Sequence, residues 1–120
     1  MSKMDSIMSL LEAGARAEGV RQQAIASNVS NLHTPGYKTL DVQFEQLLKK
    51  ALSSGNSREL RELTPKLFHP EDTQVKPNGN DVVWEMEVGK MVKNSLRHKT
   101  FIRLLSKKYE QIELAIRIGS

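Results

Sequence analysis

Apolar residues recur along this chain in two long helical stripes, separated by a stretch with no period. At 3.6 residues per turn, Ile7, Leu11, Gly14, Ile25, Val29 and Leu32 fall on one narrow face, which predicts a first helix over residues 5–32. Glu18 and Arg21 occupy the same stripe three residues apart, so the seam is broken by a pair able to bond each other or a facing helix. Gly14 with Ala13, Ala15, Ala17, Ala24 and Ala26 makes this helix thin, and a thin helix lets its neighbours come close.

The second stripe is longer and more regular. After the turn-forming Pro77, Asn78, Gly79 and Asn80, Asp81 is placed to cap a helix with Glu85 and Glu87 near its start, running to residue 117. Alternating steps of four and three connect Trp84, Val88, Met91, Ser95, His98, Ile102, Leu105, Tyr109, Ile112 and Ile116, a heptad seam over four and a half repeats. Phe101 and Leu104 widen it in its second half, as expected of a helix packed against more than one neighbour. Such a helix spans roughly 54 Å, too long for a compact domain of this size, and its pattern points to a coiled coil or a filament. Paired in opposite directions, the two stripes align their polar breaks: Ile7 faces the region of Tyr109, Leu32 faces Trp84, and Glu18 comes near His98.

Between the stripes, Asp41 is positioned to cap a short helix over residues 42–52, with Phe44, Leu47 and Leu48 on its apolar side and residues 53–56 as its stop. Residues 53–80 contain Pro65, Pro70 and Pro77 and read as mostly loop, with one helical turn over 57–63 supported by pairing among Arg58, Glu59, Arg61 and Glu62. The expected fold is all-α: two long terminal helices forming an antiparallel coiled-coil-like hairpin, a short bracing helix and an irregular central region. Its three segments are 1–38, 39–80 and 81–120.

Where the first helix ends, the sequence is at its most specific. Asn28 and Asn31 lie about 300° apart around a helix, so their amides project to one side, where each can bond a neighbouring backbone. Pro35 disfavours helix at Thr34 and presets the second position of a turn, and Gly36 supplies the positive φ that a type II turn needs next. Tyr37 and Lys38 leave the turn as an aromatic anchor and a solvated charge. Asn-rich helix ends followed by Pro-Gly are common stops, but Asn28, Asn31, Thr34, Gly36, Tyr37 and Lys38 at these spacings form a much rarer string. It resembles the N-terminal motif of the axial proteins of the bacterial flagellum, the rod, hook and hook-associated subunits. The resemblance covers roughly residues 5–48 and 78–118. In its second part the string Asn80-Asp81-Val82-Val83, then Glu85-Met86, Lys90-Met91 and the run from Asn94, Leu96 and Arg97 to Leu104 and Leu105 resemble the B-type proximal-rod branch, with His98 and Lys99 at positions that are Tyr-Gln there. The Arg-x-Tyr-x-Ala-Asn pattern of the sister rod and hook branches does not occur.

Composition narrows the chemistry. Among 120 residues there is no cysteine, which excludes a disulfide framework, thiolate metal sites and a cysteine nucleophile. His33, His69 and His98 fall in a turn, a loop and a helix seam without metal-ligand spacing, and no G-x-S-x-G, phosphate-cradling glycine loop or H-E-x-x-H occurs. No catalytic residue, cofactor or metal is expected, and the chain does not read as an enzyme. The net charge of +4 comes from dispersed Lys and Arg, the pattern of a solvated helix surface rather than a nucleic-acid footprint. Residues 1–30 lack an apolar signal core, and no run approaches the roughly 18 apolar residues of a membrane span.

The resemblance implies a structural subunit of the proximal rod, polymerising helically through its terminal helices into the driveshaft that transmits torque and encloses the export channel. The implied partners are other copies, other rod subunits, and the inner-membrane ring and export-gate proteins at the rod base. No nucleic acid and no direct lipid binding are expected. The implied location is the basal body, with the rod in the periplasmic space, reached by flagellar export without a cleaved signal peptide. The expected assembly motif is Asn28, Asn31, Thr34, Pro35, Gly36, Tyr37 and Lys38, and the expected assembly seam is Trp84, Val88, Met91, Ile102, Leu105, Tyr109, Ile112 and Ile116. Alternative readings are a C-type rod subunit of the same family, a basic helical nucleic-acid-binding module, which would show salt-sensitive binding, and an amphipathic membrane-surface protein.

Overall fold

The structure, a computed structural model, describes residues 3–119; the outermost ends of the two predicted terminal segments, at residues 1, 2 and 120, lie outside the described residues. The chain folds in the order α1 (Lys3–Ser30), β1 (Asp41–Gln43), α2 (Glu45–Ser54), α3 (Ser57–Arg61), β2 (Lys66–Phe68) and α4 (Trp84–Gly119). The molecule is mostly helical and elongated, with extents of 66 × 27 × 15 Å. Both long terminal helices are present where periodicity predicts them.

The all-α expectation needs one correction. Residues β1 and β2 form a two-stranded antiparallel sheet, with Asp41 opposite Phe68, Val42 opposite Leu67 and Gln43 opposite Lys66. Asp41 is therefore a strand residue and not a helix cap; its carboxylate accepts from the Val42 N–H at 2.8 Å. The bracing helix starts later than its predicted boundary, with Phe44 at the N-cap position and no side-chain capping bond, and it ends at Gly55 in the left-handed region. The predicted turn at 57–63 is α3, capped by Asn56, whose side chain accepts from the N–H groups of Arg58 and Glu59.

Side chains of α1 pack on two sides. Ala13 and Ala17 meet Phe44 in a small buried cluster, with Leu48 and Leu63 packed against it, so the small residues admit the brace as their size requires. The other side of α1 meets α4. Glu12 pairs with Tyr109, Gly14 with Phe101, Glu18 with Asn94 and Asn28 with Glu87, so partners along α4 fall in number as those along α1 rise. Glu18 thus bonds Asn94, one helical turn before the His98 that the polar breaks suggest.

Within α4, the residues not fully exposed are Glu87, Lys90, Asn94, His98, Phe101, Leu105, Lys108 and Ile112. They follow steps of three and four, the spacing of a heptad seam. Through its first half this seam lies one residue away from the predicted apolar one, and the two coincide at His98, Leu105 and Ile112. The remaining predicted positions face outward: Trp84 is 46 % exposed, Val88 37 %, Met91 44 %, Ile102 46 %, Tyr109 53 % and Ile116 67 %.

Candidate assembly site

Two features carry the functional reading: a buried polar clasp that ties the end of α1 to the start of α4, and the outward apolar row of α4.

Clasp geometry grows from the turn. Pro35 and Gly36 occupy its centre; Gly36 has φ 76°, and the Tyr37 N–H donates to the Thr34 carbonyl at 3.3 Å, as the sequence requires of a type II turn. Turning the chain back brings Tyr37 and Leu40 alongside α1. The Asn28 carboxamide is then fully enclosed and fully bonded: Oδ1 accepts from the Tyr37 hydroxyl and the Leu40 N–H, both at 2.9 Å, and Nδ2 donates to the Leu40 carbonyl at 2.9 Å and to Glu87 Oε2 at 3.0 Å. The Tyr37 hydroxyl also lies 2.8 Å from Ser27 Oγ. Asn31 donates to the Ser27 carbonyl and accepts from the Thr34 hydroxyl, closing the helix end, while Lys38 stays exposed.

Asn80 anchors the other side. It is fully buried, donates to the carbonyls of Asn31 and Thr34 at 2.8 Å each, and accepts from the Val82 N–H at 2.7 Å. The Gly36 N–H donates to the Asn78 carbonyl at 2.9 Å, and Gly79 lies so close over Gly36 that an added Cβ would stand 3.3 Å from its Cα. Asp81 is not the helix cap its position predicts. Its carboxylate accepts from the Thr39 N–H at 2.6 Å, the Thr39 hydroxyl at 2.9 Å and the Thr73 hydroxyl at 2.7 Å. Burial works against its charge, but these bonds, with Lys38 nearby, outweigh burial and hold its pKa below the ordinary value.

A second polar node lies midway along the pair. Glu18 is buried, with Arg21 donating to it at 2.7 Å and the Asn94 amide donating to its carboxylate at 3.0 Å and its carbonyl at 2.7 Å. Arg21 also bridges to Glu45 on the brace. Burial opposes charge on both, and their mutual bonds overcome it, raising the pKa of Arg21 and lowering that of Glu45. Glu87 is likewise buried and is paired with Lys90 at 3.0 Å. Among the described residues every buried side-chain polar atom has a partner, as a unique register demands.

The sequence does not reveal Asn80, Thr39, Thr73, Glu87 or Asn94 as site residues. Asn80 reads as part of a turn and Asn94 enters only through the family resemblance, with no bonding partner implied for either, and Glu87 reads as an acidic residue near a helix start. Sequence-predicted residues Asn28, Asn31, Thr34 and Tyr37 are brought together by direct bonds, whereas the predicted seam is split: Trp84, Val88, Met91, Ile102 and Ile116 are exposed, Tyr109 is exposed but donates its hydroxyl to Glu12, Leu105 is buried within the chain and Ile112 partly so. Among the described residues no group of His, Asp or Glu could hold a metal ion, and no helix is long and apolar enough to cross a membrane.

Comparison with known proteins agrees with this arrangement. The family model for flagella basal body rod protein matches residues 11–38, most of α1 and the turn. The chain is 24 % identical to the flagellar basal body rod protein FlgB of Yersinia enterocolitica, with 88 % of this chain and 89 % of the relative covered. It is 23 % identical to that of Bacillus subtilis, covering 95 % of each, and 24 % identical to that of Escherichia coli, covering 88 % and 89 %. Matched over residues 11–38 by the family model and along most of its length by these relatives, the chain is similar to the flagellar basal body rod proteins.

Proposed function

We propose that the chain is a rod subunit of the FlgB type and builds the proximal rod, polymerising helically through α1 and α4 into the wall of the driveshaft. In this reading α1 and α4 form an antiparallel, coiled-coil-like hairpin, supported by the opposed order of their partners from Glu12–Tyr109 to Asn28–Glu87. The three segments 1–38, 39–80 and 81–120 act as axial helix with turn, brace and axial helix. The observation that carries the reading is the outward row of Trp84, Val88, Met91, Ile102, Tyr109 and Ile116, a heptad-spaced apolar face on a helix whose other seam is already occupied by α1. Exposed apolar faces of this length mark surfaces that a partner covers, and coiled-coil spacing specifies that the partner is helical.

The subunit has a structural role and no catalytic one. Its partners are further copies, other rod subunits, and the inner-membrane ring and export-gate proteins at the rod base; its place is the periplasmic part of the basal body, reached by flagellar export. The clasp holds the two helices in one register, so that each copy presents the same row. Basal bodies purified from cells carrying a tagged copy test the reading. The tag is expected in the rod, cross-linked to ring and export-gate proteins, and a tag recovered in the hook or absent from the basal body would overturn it.

A further inference from the structure

The last turns of α4 stand exposed among the described residues, although they are rich in apolar side chains. Leu114, Ile116 and Ile118 are 57 %, 67 % and 78 % exposed. Their two charged companions, Glu113 and Arg117, satisfy each other at 2.7 Å, so the tip presents apolar side chains with its charges already paired. Nearer the opposite end of the elongated molecule lies a hollow of about 380 Å³ between α1 and α4, lined by Ile25, Ala26, Val29 and Met91 with Gln22, Ser30 and Asn94 at its edges. No charged residue lines it. A neighbouring cavity is different: beside its apolar residues it is lined by Arg21, Asp41, Lys90, Lys93 and Arg97, so an apolar tip seated there would desolvate charges.

We propose that this hollow is the seat for the α4 tip of a second copy, giving a head-to-tail contact between successive subunits. The inference rests on the rod reading and adds to it which surfaces meet. Charge match favours this occupant: an uncharged hollow receives a tip whose charges are internally paired, so no isolated ion is desolvated on docking. Shape favours it too. Met91 belongs to the heptad-spaced row, so a helix laid along it continues coiled-coil packing, and Leu114 and Ile118, on one side of the tip, supply the matching four-residue step. Because the two surfaces are different and lie apart on the molecule, the contact is heterologous, the kind that propagates from copy to copy rather than closing into a two-fold dimer.

The chain has no cysteine, so introduced thiols report contacts without background. Full-length Met91→Cys and Ile118→Cys, both altered at exposed positions, are mixed at high concentration and oxidised. The expected product is the mixed 91–118 dimer, in several-fold excess over either homodimer, and Leu114→Ser in the Ile118→Cys chain should abolish it. Trp84, the single tryptophan, lies on the same row, so its emission should shift to the blue with concentration in the parent and not in the serine variant. A dominant 91–91 product, or a mixed product unaffected by the serine change, overturns the head-to-tail contact. The same proteins examined in basal bodies separate the two claims: incorporation into the rod with 91–91 cross-linking rejects this contact alone, whereas failure of the parent to incorporate rejects the rod reading.

Discussion

Asn28 in α1 donates to the carboxylate of Glu87 in α4 at 3.0 Å, with both residues shut away from solvent. Fifty-nine residues of sequence separate them, and the turn at Pro35 and Gly36 with the Asn80 bonds closes that distance. A carboxamide is suited to this place because it offers two acceptor sites to Tyr37 and Leu40 and two donors to Leu40 and Glu87.

Replacing Asn28 by Asp keeps the acceptors but turns both donors into an oxygen facing the Leu40 carbonyl and the Glu87 carboxylate. We expect Asn28→Asp to lose about 3–5 kcal/mol and Asn28→Ala about 1–3 kcal/mol in denaturant unfolding at pH 7. Like charge raises the pKa of the new Asp, so its penalty is present at neutral pH and shrinks relative to Asn28→Ala as acid protonates it. Equal losses at all pH values would contradict the clasp.

At Gly14 the Phe101 ring of α4 lies against the α1 backbone. A Cβ there would stand 2.4 Å from the Phe101 ring. Gly14→Ala should therefore cost about 1–3 kcal/mol by overpacking, whereas in a Phe101→Ala background the same change should stabilise by up to about 1 kcal/mol through helix propensity. Thermal unfolding of the four proteins in a double-mutant cycle reads the change of sign; the same sign in both backgrounds would remove the contact from the account.

Asp81 links acid stability to the clasp. Its folded pKa lies below the ordinary 3.8, so it contributes stability that is fully present above that value and is lost as pH falls through the folded pKa. Wild type should lose stability steeply below pH 3.8, and Asp81→Asn should be less stable at pH 7 with a shallower acid limb. Parallel pH profiles for the two proteins would show that the Thr39 and Thr73 bonds add nothing.

Sequence made some of this legible and hid the rest for physical reasons. Pro35 and Gly36 declare their turn because their backbone restrictions are local, and the turn is present with Gly36 at φ 76°. The three-residue strands β1 and β2 are silent because only their pairing across the chain, Val42 with Leu67, distinguishes them from loop. Asp81 looks like a cap because Thr39 and Thr73 reach it only after folding. The apolar heptads of α4 are real in spacing, yet they mark the outward row; the inward seam is built from Glu87, Asn94 and the Gly14–Phe101 contact, whose polarity and small size conceal it.

Two adjacent seam positions separate assembly from folding. Leu105 is 9 % exposed and already packed within the chain, so Leu105→Asp should harm the isolated subunit as well as the rod. Ile102 is 46 % exposed, so Asp there stays hydrated in the isolated subunit and is desolvated only when a neighbour covers the row. The most direct measurement is the recovery of tagged Ile102→Asp protein in purified basal bodies, beside its unfolding curve and a Lys107→Glu control on the exposed far side. The account predicts wild-type stability with loss of rod incorporation and of hooks for Ile102→Asp, and near-normal assembly for the control. Basal bodies that incorporate Ile102→Asp as fully as wild type would contradict the claim that neighbouring subunits cover this face of α4.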